Sequence, residues 1–597
     1  MTQPTSFWHR YARQRVSRRR ALQLAALSGG GLALAAACGG GGDDEEAREG
    51  GPGQVFNPQP AENIVPGGIY RLALTGDPLN LDPQRNLSFT TDLFVSGFVY
   101  SRLYRYKTGP GYDPTLYDPV PDIAESYEIA DDGLTWIFTL RPGVTFHNKP
   151  PLNGRELDSE DVAATFRRFM ELPARYEIVL RRTVERVDTP SPNQVVFRLK
   201  LPYAPFLNQM ASSTYLWVLS KEAATGELDP SQIGNVIGTG PWVLDEYTPS
   251  QVMRYVKNPA WYGAPLPYLD GQTLPIVPEY ATRQAQFLAG NLDSDAPNGN
   301  DLLDVVNRTP GAQVTVGNFP NVLNFFFFDF NVNPDSPFRD ERVRRAVSMA
   351  VDRDGLLEAL YNLSVVKNAG YEVTARWHNA VPGGLTRWWL DPKSEEMGEA
   401  GQWYEYNPEK ARALLAEADY EGGFSTELHH PTAIYGNTFD QGAEAIVPFI
   451  RAIGIGTETK QEAYVDYITR TFVGDLTGMA FALETPFSDA DEYLHAMYHP
   501  DGARNHSKID DPTLTQMIED QAVETDLERR VQLVHDIQRY VSDKMYYVPL
   551  MVFGSPGFNV AHPWVQNVGV YQTASFGAAT EGGVYVALTE DAPGRSQ

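Results

Sequence analysis

Seven side chains have the types and positions to hold a small ligand. Tyr435 follows a predicted strand over Thr426–His429, and Glu484, Phe487 and Asp489 follow another over Met479–Leu483. Thr75 and Asp77 come just after the alternating segment Ile69–Leu74, and Trp377 lies in a loop-like stretch. In open α/β sheets, ligands bind beyond the carboxyl ends of the strands. Aromatic rings there supply apolar area with few rotors to freeze, and a carboxylate holds an ammonium or a hydroxyl group. Each residue also has a plainer reading. Tyr435 equally suits a surface loop, Glu484 and Asp489 suit solvated loop acids, and the Trp388-Trp389 pair suits packing better than stacking on a ligand.

Bond-breaking chemistry is poorly served by comparison. His495 and His499 are four apart, a spacing that can face one metal from a helix, with His506 downstream. No Glu follows His495, so the zinc-protease pattern is missing, and surface histidines explain the three more simply. Gly554-Ser555-Pro556-Gly557 lacks the spacing of a nucleophile elbow. There is no phosphate loop or dinucleotide fingerprint, and in so acidic a chain neighbouring acids carry no glycosidase signal. The expectation is no catalytic residue, no metal site and no cofactor.

The N-terminus bounds where the chain works. Ser17-Arg18-Arg19-Arg20-Ala21-Leu22-Gln23 leads into the weakly apolar run Ala21–Ala37, which ends at Cys38, the only cysteine of 597 residues. Twin arginines, an apolar stretch and small residues before a cleavage point are an export signal. The run is interrupted by Gln23, Ser28 and Gly29-Gly30-Gly31, and falls short of the ~20 apolar residues a spanning helix needs. Ala35-Ala36-Ala37-Cys38 resembles a lipobox, whose Cys carries lipid, although the usual Leu stands one position early at Leu34. Residues 39–65, with Asp43-Asp44-Glu45-Glu46, read as a flexible acidic tether. The expected location is the outer face of the cell membrane or the periplasm. With no Cys after Cys38, a disulfide framework and Cys nucleophiles are excluded from the body.

Composition is that of a globular protein: 42% hydrophobic, 12% aromatic and 21% charged. The formal charge is −27, and the charged side chains of residues 1–37 are all Arg, so the rest is more acidic still. Such a field repels nucleic acid and anionic lipid and favours neutral or cationic ligands.

The elements that must position the seven residues alternate along the chain. Asp92–Tyr104 is a predicted helix. Ser126–Ile129 and Leu134–Leu140 flank Ala130-Asp131-Asp132-Gly133, a hairpin signal. Ser159 opens a capped helix, Val195–Leu199 is a strand, and Trp242–Tyr247 and Val252–Val256 follow Gly238-Thr239-Gly240-Pro241. Leu323–Phe330 is an apolar run that suits a buried strand. In Asp340–Arg353, Val343, Ala346, Val347 and Ala350 share one helical face. Helices over Pro408–Ala418, Asp440–Ile453, Asp511–Val523 and Leu527–Asp543 alternate with strands over Thr426–His429, Ile455–Lys460 and Met479–Leu483. That alternation predicts a parallel or mixed sheet in an α/β (mixed α+β) fold.

Together these segments resemble the extracellular solute-binding proteins of the dipeptide, oligopeptide and nickel class (family 5), which serve ATP-driven importers. The most specific stretch runs from Pro121-Asp122-Ile123-Ala124 through Asp132-Gly133-Leu134-Thr135-Trp136 to Val144-Thr145-Phe146-His147. Phe338-Arg339-Asp340-Glu341-Arg342 with Ala350-Val351-Asp352-Arg353, and Tyr406-Asn407-Pro408-Glu409-Lys410-Ala411, match as well. Two departures stand out. Ser101-Arg102 occupies a place where the family commonly has Glu-Gly, and after Leu483 the Trp and the amine-pairing Asp of the peptide binders are missing.

The resemblance implies a two-lobed periplasmic-binding-protein-like fold that closes over its ligand on hinge strands, with Asn324–Phe330 outward and Met551–Phe553 on return. It implies lobe I from 66–110, 236–323 and 554–590, an extra subdomain over 111–235, and lobe II over 324–553. The implied partners are a small-molecule or peptide ligand, the transmembrane subunits of an ABC permease, and the membrane through a lipid on Cys38. A monomer that binds no nucleic acid is expected. Two alternatives stay open at this level: an exported hydrolase of peptides or glycans, and a sensory or chaperone receptor on the same fold.

Overall fold

The computed structural model describes residues 61, 63–85, 91–172, 177–213, 215–316, 322–373, 375–432, 435, 437–484, 487–551, 558–567 and 583–595. Cys38, the rest of the export signal, most of the tether, Gly554-Ser555-Pro556-Gly557 and the Val552-Phe553 end of the expected return hinge lie outside them. Among the described residues, helices and strands are mixed throughout the chain, as expected.

One group of sheets is built from the two ends of the chain. Ile69–Arg71 pairs in parallel with Gly271–Pro275, which lies antiparallel to Val252–Lys257 and, through it, joins Trp242–Thr248. Tyr70, Trp242, Leu244, Met253, Tyr255 and Leu274 form its core. Beside it, the late strand Phe558–Ala561 returns to lie between Ser294–Asp295 and Gln313–Val316.

The Asp131–Gly133 signal makes the expected hairpin. Ala124–Ile129 and Thr135–Leu140 pair antiparallel, Gly133 takes φ +67°, and the Asp132 carboxylate accepts from the N–H groups of Leu134 and Thr135. Gln194–Leu199 and Val184–Ser191 complete a four-stranded antiparallel sheet. The helix Ser159–Glu171 is capped by Asp158, in a reciprocal box with Asp161, and Ser159 becomes its first residue.

The five-stranded sheet runs Ile455–Glu462, Phe424–Pro431, Met479–Glu484, Leu323–Phe328, Val548–Pro549. The first three strands are mutually parallel, and Leu323–Phe328 opposes its neighbours. All six residues of Leu323–Phe328 are buried, which explains an apolar run without alternation. Helices Glu341–Ala350, Pro408–Glu417, Asn437–Ala452, Pro512–Val523 and Leu527–Lys544 fall close to their expected bounds. Two arginines of this region are buried against carbonyls instead of acids. Arg344 donates to the carbonyls of Phe338, Lys544 and Met545, and Arg353 donates to those of Ser348, Tyr404 and Pro549. Burial pushes both guanidinium groups down, to about 10.

The stretch expected as a helix over Asp92–Tyr104 is shorter. A wide helical turn, Asp92–Ser96, passes into Gly97–Val99, and the chain then extends into the strand Tyr104–Tyr106. Tertiary pairing overrides local preference here. The Val99 carbonyl accepts from Gly240 N–H, and Ser101 bridges Val218. A Cβ on Gly238 would lie 2.0 Å from the Val99 oxygen, so only glycine allows this approach.

Candidate functional site

The strand Met479–Glu484 ends inside the molecule, and its last residue is a fully buried carboxylate. Glu484 Oε2 is 3.3 Å from His506 Nε2, and its Oε1 is 3.8 Å from Arg504 Nε. Burial pushes the His506 imidazole down, against the pull of Glu484. His506 Nδ1 bonds the Phe472 carbonyl and must carry a proton to do so, which leaves the Nε2 contact with Glu484 to share a further one. Tyr435 belongs to the same neighbourhood. Its ring meets Phe439 at 5.1 Å and Tyr464 at 5.9 Å, and its hydroxyl is pushed well above the ordinary value by burial, by Tyr464 and by the charge of Glu484.

Beyond the strand, residues 487–492 turn into the helix Ala490–Tyr498, and this turn is where the first half of the chain meets the second. Phe487 is buried, with its ring 5.1 Å from Tyr493 and its N–H donating to the Tyr493 hydroxyl at 2.8 Å. Asp489 caps the helix and is gripped from both sides. Arg530 bonds both its oxygens, and Asn208 Nδ2 donates to Oδ2 at 2.7 Å. Asp491 accepts from Tyr203 and Gln521 and lies 3.2 Å from Arg182. The Tyr215 hydroxyl donates to Glu492, and the Tyr106 hydroxyl donates to Ser488 at 2.6 Å. Thus Tyr106, Arg182, Tyr203, Asn208 and Tyr215 all reach across to one six-residue turn.

The electrostatics of that seam follow from its dryness. Burial pushes the Glu492 carboxyl up to about 7, Asp489 adds to the push, and the Tyr215 hydroxyl with the N–H groups of Ser488 and Asp489 holds it from going further. Burial also acts on Asp491, but there the Arg182 cation wins and the carboxyl lies below its usual range. His495 is pushed down to about 3 by burial and by Arg182. Next to Asn208 and Arg530 lies a small pocket, walled also by Asp118, Arg387, Trp388 and Leu527.

The structure therefore brings Tyr435 and Glu484 together, with Phe487 and Asp489 following on the adjoining turn. It places the other three elsewhere. Thr75 is exposed, and Asp77 accepts from Tyr247 at 2.9 Å and from the Ser250 N–H at 2.8 Å within the first group of sheets. Burial pushes the Asp77 carboxyl up, and these bonds outweigh it to hold it below its ordinary value. Trp377 donates to Asp354 at 2.8 Å beneath Lys393, whose ammonium lies 3.9 Å from the ring. No hydrogen bond or ring contact joins Thr75, Asp77 or Trp377 to residues 484–492 among the described residues. Trp388 packs under Arg530 at 4.4 Å, as a packing residue would. His495 and His499 stack on each other at 4.4 Å, whereas His506 sits with Glu484.

Sequence reasoning missed Arg504, Arg530 and the five residues that reach across from the first half, and it weighed His506 only with His495 and His499, not as the partner of Glu484. The dense polar run Ser488-Asp489-Ala490-Asp491-Glu492 at a helix start was the one local signal that many partners converge there.

Comparison with known proteins agrees with this architecture. The profile of the bacterial extracellular solute-binding proteins, family 5 (middle region), matches residues 118–505. The chain is 28% identical over 525 residues to heme-binding protein A of Haemophilus influenzae, covering 84% of this chain and 89% of that one. It is 27% identical over 493 residues to the dipeptide-binding protein of Escherichia coli, covering 79% and 86%. Among solved structures, HbpA2 from Haemophilus parasuis shares the fold with a TM-score of 0.69 at 23% identity, over 88% of this chain and all of that one. The periplasmic binding protein DppA from Helicobacter pylori, solved with the peptide STSA, gives 0.67 at 23% identity, over 88% and 98%. These are two-lobed folds, as the sequence implied. No helix among the described residues is long and apolar enough to cross a membrane.

Proposed function

The chain belongs to family 5 of the bacterial extracellular solute-binding proteins, and on that premise we propose that it is the substrate-binding component of an ABC-type importer, holding a peptide-like or other small solute between its two lobes for a membrane permease. Its relatives include proteins named for dipeptides and for heme, so the family accommodates ligands of different chemistry. The observation that supports a cleft between the lobes is the seam at residues 484–492, where a strand end supplies Glu484 and Tyr435 stands beside it. Asp489, Asp491 and Glu492 already have protein partners. Glu484 is engaged as well, but at longer range, by His506 at 3.3 Å and Arg504 at 3.8 Å, so ligand contacts are assigned to Tyr435, Glu484 and Phe487 ahead of Asp489, with Thr75, Asp77 and Trp377 outside the cleft. The reading keeps the lobe bounds expected from the sequence, and contacts of Arg182, Tyr203, Asn208 and Tyr215 with residues 489–492 support 111–235 as a subdomain facing that turn. The reading includes no turnover of the ligand, a monomer, and export by the twin-arginine route with a lipid on Cys38.

A thermal-stability screen of the purified chain against peptides, oligosaccharides, polyamines and chelated metals tests it. A ligand at a hundred times its dissociation constant adds ~2.7 kcal/mol. Tyr435→Ala and Glu484→Gln should each weaken the response to the best ligand. Unaltered affinity in both variants would mean that the cleft lies elsewhere, and conversion of the ligand would favour a hydrolase.

A further inference from the structure

We propose that residues 488–492 form a clasp by which the subdomain over 111–235 holds the two lobes closed, and that fastening the clasp takes up a proton at Glu492. Both sides of the clasp are protein groups. Asn208 donates to Asp489 at 2.7 Å, Tyr203 to Asp491 at 2.5 Å and Tyr215 to Glu492, while Arg182 lies 3.2 Å from Asp491. Two contacts extend it. The Ala204 N–H donates to the Ala522 carbonyl at 2.8 Å, and Arg387 pairs with Asp118 at 2.6 Å. Each of these bonds joins residues of 111–235 to residues of 324–553, so they part together when that face opens.

The charges of the turn do not balance without that proton. It carries three carboxylates, and among the described residues two cations bond them: Arg530 takes both oxygens of Asp489, and Arg182 faces Asp491. Glu492 is left with neutral donors, the Tyr215 hydroxyl at one oxygen and the N–H groups of Ser488 and Asp489 at the other. The other neighbours add no cation to it. Tyr106 donates to Ser488 and Gln521 to Asp491, Arg102 acts on the Tyr106 hydroxyl, and Glu484 acts on Tyr493. His495 is pushed down to about 3 by burial and is neutral. Asp489, Asp491 and Glu492 are at most 3% exposed, so an ionised Glu492 puts an uncompensated charge into a dry seam. Burial accordingly pushes this carboxyl from its ordinary 4.5 up to about 7. The fastened form therefore holds the proton more tightly than a form in which Glu492 meets water. Acid favours fastening, and the gain is lost as pH rises through about 7.

The inference rests on the two-lobed receptor reading only for the motion of the lobes, and no ligand enters its test. Cys38 is the only cysteine, so the full chain with Cys38→Ser accepts spin labels at Glu185→Cys in the subdomain and Asp520→Cys across the seam, both exposed positions. Double electron–electron resonance then reads the distance between them. The expected result is a short and a long population. Their short-to-long ratio, divided by that of Glu492→Gln to cancel His495 and other shared groups, should fall about ten-fold between pH 6 and pH 8. Asn208→Ala with Arg387→Gln, both half-buried and so compatible with folding, should enlarge the long population at either pH. Circular dichroism melting checks that each variant is folded. One unchanged distance at both pH values, in the Asn208→Ala, Arg387→Gln variant as well, would mean a fixed joint and overturn the clasp. A ratio that stays flat or rises with pH would overturn the proton. Solute retention is measured separately, so either failure leaves the receptor reading standing, and a chain that retains no solute can still show the clasp.

Discussion

Replacing Glu492 by Gln should make this protein more stable at alkaline pH, an unusual direction for a change at a fully buried, hydrogen-bonded residue. Glu492 is held at about 7 against an ordinary 4.5. Each pH step in that interval corresponds to ~1.4 kcal/mol, so keeping the carboxylate ionised in the folded protein costs about 3 kcal/mol. The sign follows from which state binds the proton. The raised value means that the folded state takes up a proton first, so its contribution is complete below about 4.5 and is lost as pH rises through about 7. Gln keeps the cap, because its amide oxygen can still accept from the Tyr215 hydroxyl or from the N–H groups of Ser488 and Asp489.

The native profile alone cannot isolate this group. His147, His378 and His495 are pushed down to between about 3 and 4, and each removes stability as pH falls below its ordinary 6.5. The charged neighbours Asp489, Asp491, Arg182 and Arg530 also bear on the seam. The difference between Glu492→Gln and the native chain removes these shared contributions. Urea midpoints followed by tryptophan fluorescence should coincide near pH 5 and separate near pH 8, with the variant ahead by up to about 3 kcal/mol. A difference that does not change with pH, or a variant less stable near pH 8, would refute the reasoning.

Two further outcomes follow from the same geometry. Asp489→Asn leaves the Arg530 guanidinium buried without its carboxylate and should cost about 3–5 kcal/mol, whereas Asp489→Asn with Arg530→Met should recover most of the loss; urea unfolding of the single and double variants decides it, and equal losses in both would contradict the pair. Gly238→Ala would drive a methyl group to 2.0 Å from the Val99 oxygen, so it should lower the melting midpoint or abolish soluble expression, and an unchanged midpoint would show that the Gly97–Tyr100 segment is free to shift.

What was legible in the sequence was local. The Asp132-Gly133 turn carries its own geometry, and the hairpin between Ala124 and Leu140 formed where expected. The apolar face through Val343 and Val347 placed the helix Glu341–Ala350. The helix over Asp92–Tyr104 was misread because Gly240 and Val218, far along the chain, capture its second half as extended backbone. The site divides in the same way. The rule that ligands lie beyond strand ends pointed to Glu484 and Tyr435, which the fold brings into one neighbourhood. The same rule could not show that Asp489 is claimed by Arg530 and Asn208, since those partners lie 41 and 281 residues away. Carboxylate identity is visible in a sequence, but the availability of the carboxylate is settled by distant residues.

The central claim, that a solute is held intact between the lobes, is tested most directly by native mass spectrometry of the purified chain incubated with pooled di- and tripeptides, oligosaccharides, polyamines and chelated metals. One intact molecule retained per chain, and released by Tyr435→Ala together with Glu484→Gln, is the predicted result. Cleaved products of the pool, or no retention from any of the four classes, would contradict it.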